Sequence, residues 1–357
     1  MRHYSIACVP GDGIGREVIA AGKSVLESAQ QTDGGFRLHF EEFPWSCEYY
    51  LQHGEMMPRD GLKILEGFDA IYLGAVGFPT VPDHVSLWGL LLPIRQGFDQ
   101  YVNLRPVKLL PGIAGPLRDK GPEQIDFVAI RENTEGEYAG VGGRVHVHTD
   151  REVAVQTGVF TRQGVERVLR YAFQVAQNRP RKQLIAATKS NACQYSMVFW
   201  DEVLAELSGD YPEVKASKMH VDALAAQFVL RPEALDVVVA SNLFGDILTD
   251  LGGALQGGLG IPASANLNPE KRYPSMFEPV HGSAPDIAGK GIANPIAAIW
   301  AGATMLDFLG EKEAGERVLQ AIVKVTAEGR VLTGDLGGRA TTQQMTEAIT
   351  ERVLQLH

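Results

Sequence analysis

Asp246 and Asp250 stand four residues apart in the segment 242–250, directly after the apolar run Val237-Val238-Val239-Ala240-Ser241. On a helix this spacing puts both carboxylates on one face. Two carboxylates without His or Cys suit a hard cation such as Mg2+ or Mn2+. The plainer alternative is that Asp246 caps the helix and Asp250 is solvated. A third carboxylate, Asp222, falls where an expected strand gives way to a helix; alone it reads as an N-cap, and His220 beside it as structural. His146 and His148 lie on one side of an expected strand like a metal pair, but without a third ligand nearby they read as surface.

Basic residues are few. Arg95 and Arg105 bracket residues 97–104, and Arg131 follows an expected strand. Guanidinium groups bind carboxylates through two parallel hydrogen bonds, so three that converge would hold a dicarboxylate; singly, each reads as a surface salt bridge. Lys189 also follows a buried run. Partly desolvated there, a lysine serves as a base; otherwise it caps a helix C-terminus.

These residues need elements to hold them. Apolar runs at 5–9, 69–76, 127–130, 184–187 and 237–241 read as buried strands, and 17–29, 162–177, 197–206 and 222–229 as helices between them. Strands without alternation, interleaved with helices, predict a mostly parallel α/β sheet covered on both faces. Residues 142–158 alternate and are rich in Val and Thr, which predicts a projecting antiparallel arm suited to subunit contact. The chemical candidates cluster within 88–286, so the site is expected between two lobes.

Composition narrows the class. At 357 residues, about two domains are expected. A net charge of −10 argues against nucleic acid. Cys8, Cys47 and Cys193 show no CxxC spacing, which fits a reducing, cytoplasmic compartment. The apolar stretch 296–309 contains Asp307 and reads as a buried helix, so no membrane span is expected. Gly11-Asp12-Gly13-Ile14-Gly15 after a strand invites a dinucleotide fingerprint, but its spacing is GxGxG and no acidic residue follows a second strand. A tight turn at a helix start is the competing reading.

Taken in order, 11–15, 103–106, 131–138, Thr188-Lys189, Asp222, 242–250, 281–286 and Asn294-Pro295 resemble the isocitrate/isopropylmalate dehydrogenase family of decarboxylating β-hydroxyacid dehydrogenases, and most nearly its tartrate/D-malate dehydrogenase branch. The resemblance implies an isopropylmalate-dehydrogenase-like α/β fold, two lobes sharing a mixed central sheet, not a Rossmann fold. The cofactor-binding lobe would span 1–103 and 260–357; the metal, substrate and dimer lobe would span 104–259, with its arm at about 140–160. It implies Asp222, Asp246 and Asp250 as ligands to Mg2+ or Mn2+, and Arg95, Arg105 and Arg131 on the substrate carboxylates. Lys189 and Tyr138 would transfer protons; His281, Gly282, Ser283, Ala284, Asp286 and Asn294 would hold the cofactor. It also implies a homodimer with shared active sites, Lys189 and Asp222 coming from the partner subunit.

Two departures refine this. Asp286-Ile287 replaces the Lys-Tyr pair of the NADP-dependent isocitrate branch; a carboxylate accepts from a ribose diol and repels a 2′-phosphate, so NAD is expected. Before Arg95, Gly89 and Leu91 replace the serine and asparagine that meet isocitrate's third carboxylate, and Trp88 shrinks the pocket unless it is core packing. Metal-dependent, NAD-linked oxidation and decarboxylation of D-malate to pyruvate and CO2, with tartrate also oxidised, is the reading. 3-Isopropylmalate dehydrogenation, with Leu91 and Leu92 lining the pocket, is the alternative. A carboxylate-binding protein and a metal hydrolase are competitors from other classes.

Overall fold

A computed structural model describes residues 1–356. Its strands are β1 (Arg2–Gly11), β2 (Phe36–Glu42), β3 (Ala70–Ala75), β4 (Val102–Lys108), β5 (Asp126–Glu132), β6 (Gly136–Val145), β7 (Val153–Val159), β8 (Gln183–Thr188), β9 (Lys215–His220), β10 (Val237–Ala240), β11 (Ala263–Leu267) and β12 (Ser275–Pro279). The longer helices are α1 (Gly15–Asp33), α2 (Arg162–Asn178), α3 (Ser196–Ser208), α4 (Val221–Leu230), α5 (Asn242–Leu255), α6 (Ile296–Leu309), α7 (Lys312–Glu328) and α8 (Thr342–Gln355). The α/β class with a large mixed sheet is as expected.

Two compact units divide the chain. The first holds residues 1–100, 105–125 and everything from 253 onward; the second holds 101–104 and 126–252. In the first, the strand order is β2-β1-β3-β12-β11-β4. Ile6, Ala7, Cys8 and Val9 of β1 are all buried, which explains the absence of alternation: both faces of the sheet are covered. Ala7, Val9, Ile71 and Leu73 pack with Trp45, Met56, Leu90, Ile94 and Phe98. Helix α6 is buried along nearly its whole length, as its composition predicts. The sheet is not purely parallel, because β11 runs antiparallel to β12.

In the second unit, β5, β10, β8 and β9 are all parallel. The expected arm is the antiparallel β6–β7 hairpin. His146 and His148 are not on a strand: they sit in the turn of that hairpin, at φ 54° and 65°.

Unit boundaries fall elsewhere than the expected 103/104 and 259/260. Residues 105–125 join the first unit because Leu109, Leu110 and Ile113 are buried, Ile113 packs at Gly257 and Gly112 packs at the Thr326 backbone. Residues 101–104 join the second, where Asn133 N–H donates to the Tyr101 carbonyl (3.1 Å). The Arg167 guanidinium also lies 4.1 Å from the Tyr101 ring centroid.

The glycine turn after β1 is a tight turn against protein backbone. Gly11 and Gly13 have φ 72° and 54°, and a Cβ at either would lie 2.0 Å from a carbonyl oxygen, of Ala75 and Ser283 respectively. Their bare sides are occupied by protein backbone. Asp12 between them is fully buried. Its carboxylate accepts N–H bonds from Cys47 (3.0 Å), Glu48 (3.3 Å) and Gly77 (3.1 Å). Asp12→Ala strands three donors and should cost about 3 kcal/mol of unfolding free energy, and Asp12→Asn about 1 kcal/mol. Chemical denaturation checks this; a loss below about 0.5 kcal/mol for the alanine variant contradicts it.

Candidate active site

Strand register builds the second unit's cluster. Arg131 of β5 pairs with Ala240 of β10, so the two chains leave the sheet side by side at its carboxyl edge. Asn242, two residues on, opens α5 and accepts from Arg131 Nε at 2.9 Å. Gly245 permits this approach: a Cβ there would meet Arg131 Cβ and Cγ at 2.6 Å. Arg131 Nη1 pairs with Asp246 Oδ1. Tyr138 donates its hydroxyl to Asp246 Oδ2 (2.9 Å), and its ring centroid lies 5.3 Å from the guanidinium carbon. Asp246 lies inside α5, not at its cap, and Asp250 follows one turn later on the same face.

The same logic places the other pair. Thr188 and His220 are register partners at the ends of β8 and β9. Lys189 and Asp222 therefore emerge together, with Nζ 2.6 Å from Oδ1. Asp222 is in the first turn of α4, whose N-cap residue is His220. Lys189 foremost, with a backbone N–H, holds the Asp222 carboxyl below its ordinary value. Among the described residues, no three His, Cys, Asp or Glu side chains gather as a metal-holding group. Asp222 thus does not join Asp246 and Asp250 within one chain.

The first unit carries the remaining candidates. Arg95 and Arg105 are buried. Arg95 pairs with buried Glu278 at 2.8 Å, and Asn266 donates to the same oxygen at 2.7 Å. Trp88 lies on a π-helical turn, Leu87–Leu91, and is 45% exposed, so it is not core. Pro93, one residue into the following helix, lacks a donor and crowds the carbonyl four residues back, which accounts for the widened turn. Leu91 packs partly on the core, whereas Leu92 is fully within it. A side chain at Gly89 would press on Met56 Cγ at 2.5 Å.

Loop 281–294 presents varied groups. His281 Nδ1 lies 3.0 Å from the Gly282 carbonyl, which fixes the proton there, and buried Nε2 has no partner. Ser283 is buried, and Ala284 adopts φ 40°. Gly282 and Asp286 are exposed. Asn294 is anchored at both ends, donating to Asp335 (2.9 Å) and accepting from Ile296 N–H (3.0 Å).

A dinucleotide fits this loop: His281 Nε2 is an unfilled acceptor, space is open above Gly282, and Asp286 offers an exposed carboxylate. A hard divalent cation fits the all-oxygen pair Asp246/Asp250, with Asp246 already steadied by Arg131 and Tyr138. Sequence reading missed Asn242 and Glu278. The signal for Glu278 was a lone carboxylate in the largely apolar run ending at Val280; for Asn242 it was a polar residue two positions beyond the register partner of an arginine, which only pairing reveals.

Comparison with known proteins places these features in context. A family model for isocitrate/isopropylmalate dehydrogenase matches residues 5–351. A probable tartrate dehydrogenase/decarboxylase of Agrobacterium vitis is 56% identical over 353 residues, 99% of this chain and 97% of its own length. The D-malate dehydrogenase (decarboxylating) of Escherichia coli is 58% identical over 361 residues, 99% of each chain. The crystal structure of isocitrate dehydrogenase from Methylococcus capsulatus matches with a TM-score of 0.88 at 36% identity, covering 99% of this chain and all of that one.

Burial holds the His281 imidazole below its ordinary 6.5. The folded protein therefore favours the neutral ring, and protonation favours the unfolded chain. That contribution to stability is complete above about pH 6.5 and is lost as the pH falls through the lower folded-state value. Wild type should lose unfolding free energy more steeply than His281→Gln as the pH drops from about 7 to about 5. Parallel slopes refute this.

Proposed function

The chain belongs to the isocitrate/isopropylmalate dehydrogenase family, and from that premise we propose that it is a divalent-metal-dependent, NAD-linked dehydrogenase that oxidises and decarboxylates D-malate to pyruvate and CO2 and also oxidises tartrate. The observation that carries this reading is the Arg131–Asp246–Tyr138 cluster one helical turn from Asp250. It sets a carboxylate-binding cation, a proton donor and a metal-suited carboxylate pair together. Relatives named for D-malate and tartrate, 58% and 56% identical over 99% of the chain, favour those substrates.

Arg95, Arg105 and Arg131 hold the two substrate carboxylates, each guanidinium already partly desolvated and so costing little further to bury. Bound NAD supplies the hydride acceptor, and a cation held by Asp246, Asp250 and Asp222 supplies Lewis acidity at the 2-hydroxyl. Lys189 takes the hydroxyl proton as C2 is oxidised, which requires its ion pair with Asp222 to part and the ammonium to have given up its own proton to solvent beforehand. After CO2 leaves, Tyr138 delivers a proton to C3. Asp286 favours NAD because an exposed carboxylate accepts from a ribose diol and repels a 2′-phosphate.

Active sites shared across a homodimer are part of this proposal. Asp222 and Lys189 stay apart from Asp246 and Asp250 within one chain, as a set completed by a second copy requires. Apolar side chains also stand exposed on the second unit: Tyr195 (86%), Leu230 (70%), Ile247 (56%), and Val145, Val153 and Val155 of the arm. No helix of the described residues is long and apolar enough to cross a membrane. A cytoplasmic location is proposed on the three free cysteines.

Size and polarity select the substrate. Trp88, half-exposed beside Gly89 and Leu91, offers no charged partner for a third carboxylate, which would lose hydration there without gaining a counter-charge. Burial of Leu92 leaves Leu91 alone of that pair to meet an alkyl group. D-malate and tartrate should drive NADH formation with Mn2+ present, and exhaustive chelation should abolish it. 3-Isopropylmalate should be poorer by about 10–200-fold in kcat/KM, and Trp88→Ala should narrow that gap. Wild-type preference for 3-isopropylmalate refutes the small-substrate reading.

For the cofactor, wild type should favour NAD over NADP in kcat/KM, and Asp286→Lys should cut that ratio at least about tenfold. A wild type that prefers NADP refutes the assignment.

A further inference from the structure

The loop that would hold the adenosine half of the cofactor is not self-supporting. Ala284 has φ 40°, a conformation that costs a residue with a side chain, and Gly289 and Gly291 are left-handed at φ 74° and 65°. Such a backbone keeps its shape only if neighbours impose it. Helix α1 does so at three points. Ile14 N–H donates to the Ser283 carbonyl at 2.9 Å. Ile14 and Val18 pack against Ala284, Ile287 and Ala288. Glu17 then grips the far end: Oε1 accepts the Gly289 N–H at 2.5 Å and Oε2 the Gly291 N–H at 3.1 Å.

Beyond this grip the loop borders open volume. Lys290 and Gly291 edge a cavity of about 720 Å³ lined by Glu17, Ser24, Thr342 and Thr346. On that side the loop is also fixed by Thr342, whose N–H donates to the Gly291 carbonyl at 2.9 Å and whose hydroxyl donates to the Ala293 carbonyl at 2.6 Å. These contacts hold the Gly291 and Ala293 carbonyls and the apolar side chains of the loop, whereas the Gly289 and Gly291 N–H groups are taken by Glu17. A carboxylate is also the one side chain of this length that offers two acceptors to two amides; glutamine offers one and turns an N–H toward the other.

We propose that Glu17 is a positioning residue for dinucleotide binding. Its two-oxygen clamp sets residues 286–291 in the binding conformation before the cofactor arrives, and so aims Asp286. This rests on the proposed NAD-linked function. A preorganised loop spends less of the binding free energy on ordering, so the effect falls on affinity and not on the chemical step.

The test uses the full chain with NAD as probe. Calorimetric titration without substrate or cation should show Glu17→Ala binding NAD at least about tenfold more weakly, and Glu17→Gln, which keeps one acceptor, weakened by a smaller factor. In cofactor-free protein, the Gly289 and Gly291 amides should exchange hydrogen faster in Glu17→Ala. At saturating NAD, kcat should stay within about twofold of wild type while KM for NAD rises. Faster exchange with unchanged NAD affinity overturns the proposal, as does an equal fall of kcat and Tm in both variants. Wild type that binds no NAD overturns the functional reading and this proposal together; wild type that binds NAD just as Glu17→Ala does overturns this proposal alone.

Discussion

A guanidinium cannot be buried unanswered, and Arg131 is 3% exposed. Left without partners at a strand end, it would cost several kcal/mol; the fold answers with a side-chain amide, a carboxylate and an aromatic face. Each answer constrains something else. Asn242 has to open α5, Gly245 has to lack a side chain, and Asp246 has to fall on the turn that faces β5. Tyr138 is tied to the same carboxylate. The placement of three polar groups, on Asn242, Asp246 and Tyr138, thus follows from neutralising one charge. Arg95 repeats the solution in the other unit with Glu278 and Asn266. Groups held this way need little reorganisation when a charged ligand arrives.

Much of this was legible in the residues. Strands β1, β3, β5, β8 and β10 carry continuous apolar runs because both sheet faces are covered, and each appeared within about three residues of its bounds. The arm was visible through alternation. What escaped had a different physical basis. β2 is a half-exposed edge strand, with Phe36 and Leu38 buried and Arg37 and His39 exposed, and too short to stand out. β11 and β12, Ala-Ser-Ala-Asn-Leu and Ser-Met-Phe-Glu-Pro, bury Ser264, Asn266 and Glu278, polar residues made acceptable only by tertiary hydrogen bonds. Unit boundaries escaped for the same reason: Tyr101 and Leu109 are both apolar, and only their partners tell which core each joins. The family resemblance supplied the roles that spacing alone left open.

The glycine turn at 11–15 shows how similar local sequence reaches a different use. A dinucleotide fingerprint leaves its glycines bare so that a pyrophosphate can approach. Here the bare sides of Gly11 and Gly13 are taken by the Ala75 and Ser283 carbonyls. The turn is a buttress: it seats α1 against β3 and against the loop beginning at His281. Close approach is the shared property, backbone on backbone instead of backbone on phosphate.

The first unit is assembled from both ends of the chain, and β3 finds its neighbour β12 only at residues 275–277. On a ribosome, β1, β2 and β3 emerge early and can pair, but one edge of β3 waits while roughly ten seconds or more of further synthesis delivers its partner. The second unit's four parallel strands lie wholly within 126–252 and are complete first. Nascent chains therefore pass through a stage in which the strands of the central segment are all present while the N-terminal sheet still has an open apolar edge. That edge, fully buried in the finished protein, is a natural point of engagement for cellular folding factors and the segment most exposed to mispairing between chains.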